Sequence, residues 1–111
     1  MVVATFIHDG DAIDYRADSE LPPGSVVVLN DLVGITKRPL VAGELGSLHV
    51  VGVFEVPKAT GADTAIGAGE NVYWDSGNSQ ATTSASGNTL MGKAVAAAGN
   101  DDANVHVRLS A

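Results

Sequence analysis

Short runs of alternating or continuous apolar residues recur along the chain, separated by Gly, Pro, Asn and Asp. This pattern predicts an all-β fold, a small single-domain barrel or sandwich; strand spacing does not separate the two. Residues 2–7 and 12–16 flank His8-Asp9-Gly10-Asp11, where Asp-Gly predicts a hairpin turn. Residues 25–29 form a β-branched strand, and Asn30-Asp31 turns it into a strand over 32–36. The longest predicted strand is 47–56, with Leu48, Val50, Gly52, Phe54 and Val56 on one face and His49, Val51, Val53 and Glu55 on the other. After Pro57 the pattern lapses. Residues 58–70 are rich in Ala, Gly and Thr, and Asp63 predicts a short helical turn around 63–67 by capping Thr64-Ala65-Ile66. Strands over 71–75, 80–84, 89–97 and 104–109 complete the reading.

A chain of 111 residues is one domain's worth, and it buries roughly 60–70% of its unfolded surface without needing staples. Aromatics are confined to Phe6, Phe54, Tyr15, Tyr73 and Trp74, so the core is built mainly of Val, Leu, Ile and Ala. β-Branched side chains of this kind suit a pleated surface better than a helix.

Charge removes a class of functions. Six Lys and Arg against 13 Asp and Glu give a net charge of −7, and Lys37-Arg38 is the one adjacent basic pair. Phosphate binding needs a basic stripe, so nucleic acid is not an expected partner. The absence of cysteine excludes disulfides, thiolate metal sites and a Cys nucleophile. The first residues lack a basic stretch followed by a long apolar one, and no apolar run approaches the ~20 residues of a membrane span. The expectation is a protein made and folded in a cytoplasm, without a membrane partner.

The sharpest motif is Gly87-Asn88-Thr89-Leu90-Met91-Gly92-Lys93-Ala94, which fits G-x-x-x-x-G-K. A working P-loop needs Ser or Thr after the lysine, because that hydroxyl binds Mg²⁺, and here the position is Ala94. It also needs a following helix whose N-terminus faces the phosphates, whereas these residues alternate like a strand. We therefore read Gly87-Asn88 as a turn and Gly92 as a bulge or a close-packing point within a strand.

The remaining candidates are weaker. His8, Asp9, Asp11 and Asp14 lack the spacing of an EF-hand loop and read as a solvated turn. His8, His49 and His106 are dispersed, with no i+2 or i+4 partner, where zinc requires three or four ligands together. No nucleophile elbow surrounds any serine. Tyr73-Trp74 in a strand places one ring in the core and the other on the opposite face. No catalytic, cofactor or metal residue is expected.

The order of these segments nevertheless resembles one family across nearly the whole chain. The resemblance rests on His8-Asp9-Gly10-Asp11, Pro23-Gly24-Ser25-Val26-Val27, Leu32-Val33-Gly34-Ile35, Ala42-Gly43-Glu44 and the stretch from Gly52 to Ala59. It continues through Gly69-Glu70-Asn71-Val72-Tyr73-Trp74-Asp75, the Gly87 to Ala94 segment and Val105-His106-Val107-Arg108-Leu109. It points to the phage capsid cement (head decoration) proteins, whose members have often been labelled predicted recombinases. That family typically has a small residue after the glycine at position 92, so Lys93 departs from the pattern and completes the false P-loop. The resemblance implies a non-enzymatic protein of a phage or prophage. It would sit on the outer capsid surface, bind the major capsid protein as a homotrimer and brace the head by bridging neighbouring subunits. Val2, Val3, Ala4, Thr5, Phe6 and Ile7 are the expected protein contacts, since a terminal apolar strand can add to an edge strand of a shell protein.

Overall fold

The computed structural model describes residues 3–109. Among them are nine strands and no helix: β1 (Ala12–Arg16), β2 (Val26–Leu29), β3 (Leu32–Ile35), β4 (Leu45–His49), β5 (Gly52–Pro57), β6 (Asn71–Asp75), β7 (Gln80–Thr82), β8 (Thr89–Ala94) and β9 (Asn104–Leu109). They form two antiparallel sheets, a four-stranded one in the order β1-β4-β3-β2 and a five-stranded one in the order β5-β9-β8-β6-β7. Neither sheet closes on itself. Of the two expected architectures the structure is the sandwich, with β3 packed over β8.

Period-two alternation builds the core directly. In β9, Val105, Val107 and Leu109 point inward and are buried, while Asn104, His106 and Arg108 point out and are exposed. Val56, Val72, Trp74 and Met91 join them from the same sheet, and Val33 and Ile35 reach the same cluster from the four-stranded sheet. The β2–β3 hairpin turns on Asn30, whose φ of 54° lies in the left-handed region that asparagine tolerates.

Three expectations need correction. The strand predicted over 47–56 is two strands, and they belong to different sheets: β4 pairs with β1 and β3, and β5 pairs with β9. The chain crosses between layers at Val50-Val51-Gly52, and Gly52, at φ 129°, takes a conformation closed to most side chains. Facing survives the crossing, since Leu48 and Val56 are buried while Val51, Val53 and Glu55 are exposed.

The helical turn around 63–67 is absent. Asp63 has φ 62°, and the backbone groups a helix would use are already taken. Thr64 N and Ala65 N both donate to Asn100 Oδ1, at 3.1 and 2.8 Å. Ile66 and Ala98 exchange two backbone hydrogen bonds of 2.8 Å. Lys58, buried beneath this loop, donates its ammonium to the carbonyls of Ala59 and Thr64. Likewise the strand expected over 89–97 stops at Ala94, where Ala94 N turns to the Glu70 carbonyl and Ala94 O accepts from Gly69 N.

Candidate functional site

The six residues expected to make protein contacts lie ahead of β1. Val2 falls outside the described residues. From Val3 to Asp9 the chain has no regular secondary structure and is exposed throughout. Val3, Phe6 and Ile7 are 81%, 79% and 78% exposed, values normally found for charged residues. The expected hairpin between this arm and β1 does not form; β1 instead pairs with β4, from Ala12 opposite His49 to Arg16 opposite Leu45. In β1, Ala12, Ile13 and Tyr15 are half-buried while Asp14 and Arg16 are exposed.

The dispersed candidates stay dispersed. His8 is in the arm, His49 in β4 beside Ile35, and His106 in β9, where its Nε2 lies 3.5 Å from Glu55 Oε1 on an exposed face. Among the described residues no three His, Cys, Asp or Glu side chains are grouped as metal ligands would be. Asp75 is an anion with a structural task. Its carboxylate accepts hydrogen bonds from the Asn78 side chain at 2.8 Å and from Gly77 N at 3.0 Å, and these hold its pKa below the ordinary 3.8.

The P-loop look-alike is strand β8, in the centre of the five-stranded sheet. Gly87 sits in a turn with φ 74°, and Lys93 is exposed, its ammonium donating to Asn71 Oδ1 across to β6 at 2.8 Å. Gly92 is both things expected of it. The β6–β8 register slips there, since Val72 faces Gly92 while Tyr73 faces Leu90 and Met91 is passed over. A Cβ on Gly92 would also run into the Arg108 carbonyl of β9. A P-loop wraps phosphate with free backbone N–H groups, and a central strand spends those groups on its neighbours. Trp74 enters the core and Tyr73 is half-buried on the other face, as expected of the pair.

Clefts open on the surface, two of them sizeable. One, of about 660 Å³, runs between the sheets and is walled by Val26, Val28 and Ile35 on one side and Phe54, Val56 and Trp74 on the other. The second, of about 540 Å³, lies at one end of the four-stranded sheet beside Lys37, Arg38, Val41, Leu45 and His49. Val41 and Leu45 are more than half exposed, as is Val53 on the outer face of β5. The alternation along β5 pointed to Val53. The cleft between the sheets had no sequence signal, because its walls come from strands far apart in the chain.

Among the described residues, Val3, Phe6, Ile7, Val41, Leu45 and Val53 are large apolar side chains left exposed. Residues 7–109 match the family model of the phage cement proteins. The chain belongs to this family. The match takes in all nine described strands, so the sandwich is what the cement family model covers, and it leaves most of the arm outside. The role of a phage cement protein is structural and associated with the phage capsid. No curated protein and no solved structure matches the chain.

Proposed function

We propose that this cement protein binds the outer surface of a phage or prophage head as a homotrimer and bridges neighbouring copies of the major capsid protein. Membership of the cement family carries the reading. The exposed apolar arm supports a protein partner, because side chains such as Phe6 and Ile7 gain free energy only when something covers them. A packed head fails where neighbouring shell subunits part, so a clamp spanning the seam raises the cost of parting. Three arms on one trimer act with high effective concentration after the first has bound, so each contact can be modest. Residues 2–7 make the protein contact in this reading. The protein is made in the host cytoplasm and ends on the head surface.

The test is co-sedimentation of purified protein with empty heads. The full chain should pellet with the shells, and the chain lacking residues 1–7 should remain in the supernatant. Equal binding by both would remove the arm from the mechanism, and no binding by the full chain would remove the capsid-surface role itself.

A further inference from the structure

The outward side chains of the five-stranded sheet stand in rows set by strand register. Val53 faces Arg108, Arg108 faces Lys93 and Lys93 faces Asn71, so one row crosses β5, β9, β8 and β6. All four residues are exposed. In the row beside it Glu55 faces His106, both exposed, and in another Tyr73 faces Leu90 and Thr82, all three half-buried. The inward residues of the same strands fill the core, so this is the face the sheet turns to solvent.

Lys93 and Arg108 are the anomaly in it. Directly opposed side chains of an antiparallel pair stand about 5 Å apart at Cβ, and like charges placed there are destabilising. The fold does little to offset that cost. The Lys93 ammonium donates to a neutral acceptor, Asn71 Oδ1, and among the described residues the ion pair on this face is His106 with Glu55. Two cations thus meet on an open surface of a chain whose net charge is −7. A carboxylate brought in from outside would relieve the repulsion, and the Arg108 guanidinium can take it in bidentate fashion.

Charge and composition select the occupant. A second copy brings its own −7 and meets net repulsion. Nucleic acid asks for a basic stripe along a phosphate track, and two cations between Val53 and Asn71, with Glu55 alongside, do not supply one. A protein surface carrying carboxylates among apolar side chains fits, since Val53, Leu90 and Tyr73 give it apolar neighbours around the charged pair.

We propose that the outer face of the five-stranded sheet is a second docking surface, taking a carboxylate-bearing face of the shell protein across Lys93 and Arg108. The proposal rests on the capsid reading for the identity of that partner. With residues 2–7 on one shell subunit and this face on another, a single copy spans a seam.

Charge reversal is the test, because fold and contact respond in opposite directions. Lys93→Glu replaces a repulsive cross-strand pair by an attractive one, so the urea midpoint should hold or rise. Its affinity for empty heads in co-sedimentation should fall roughly tenfold or more, while Lys93→Arg binds as the unsubstituted chain does. Binding by the unsubstituted chain should also weaken as salt rises. Equal head binding by Lys93→Glu overturns the docking surface and leaves the capsid reading standing. Failure of the unsubstituted chain to bind heads sinks the capsid reading, and the shell protein as occupant with it. An NMR titration with poly-L-glutamate at low salt scores the face without heads. The Val53, Lys93 and Arg108 amides should shift in the unsubstituted chain and stay still in Lys93→Glu. No shift, or shifts confined to the Lys37-Arg38 end of the other sheet, would overturn the preference for carboxylates here. Self-association in sedimentation that Lys93→Glu abolishes would make a second copy the occupant and overturn the shell protein in that place.

Discussion

Gly92 shows how much of this molecule turns on one missing side chain. β8 and β9 approach so closely there that the space of a Cβ is occupied by the backbone carbonyl of Arg108, which has no rotamer by which to yield. Any side chain must therefore push two central strands apart. Gly92→Val should cost about 1–3 kcal/mol or more, the range for forcing volume into a packed interior, read as a lower urea midpoint. An unchanged midpoint would mean that the strands separate freely. Asp75 works through its charge. Its pKa is lowered chiefly by the Asn78 side-chain hydrogen bond, so its contribution is present above the unfolded value near 3.8 and disappears as pH falls through the lower folded value. In an NMR titration the Asp75 carboxyl should titrate below 3.8, and Asn78→Ala should move it upward. A midpoint unaffected by Asn78→Ala would deny that bond its role.

At the scale of elements, strands were legible wherever one face is buried. β9 is the clearest case, its inward Val105, Val107 and Leu109 alternating with polar residues. What was not legible depends on partners distant in sequence. The run through 47–56 keeps its alternation across the change of sheet, so periodicity gave no sign that β4 and β5 pair with different strands. Residues 63–67 read locally as a capped turn, but Asn100 and Ala98, over thirty residues away, claim their backbone groups. Likewise Asp9-Gly10 predicts a hairpin, but β1 pairs with β4, over thirty residues away, and the arm stays without a strand partner. The loop from Ala59 to Ile66 is instead fastened by Lys58, whose buried ammonium meets carbonyl oxygens. Lys58→Ala should destabilise the fold by about 1–3 kcal/mol. It should also speed hydrogen exchange at the Ile66 and Ala98 amides ahead of the β9 amides. Equal acceleration at all of these sites would show a general loss of stability and no clasp.

For the whole molecule, the division between a packed sandwich and an exposed arm predicts that stability and the proposed head binding can be separated. The arm from Val3 to Asp9 pairs with no strand and adds nothing to the buried cluster. Exposed side chains outside such features usually change stability by no more than about 0.5 kcal/mol when altered. Removing residues 1–7 should therefore leave the urea midpoint of the dilute, unassociated chain within that margin, with an unchanged m value because the surface exposed on unfolding hardly changes. The same deletion should abolish co-sedimentation with heads. That combination, a fold untouched and a function lost, is what a brace with a detachable grip predicts. A deletion that lowered the midpoint by more than 1 kcal/mol in the dilute chain would place the arm within the fold instead. Its exposed Phe6 and Ile7 would then have to be covered by their own sandwich in solution.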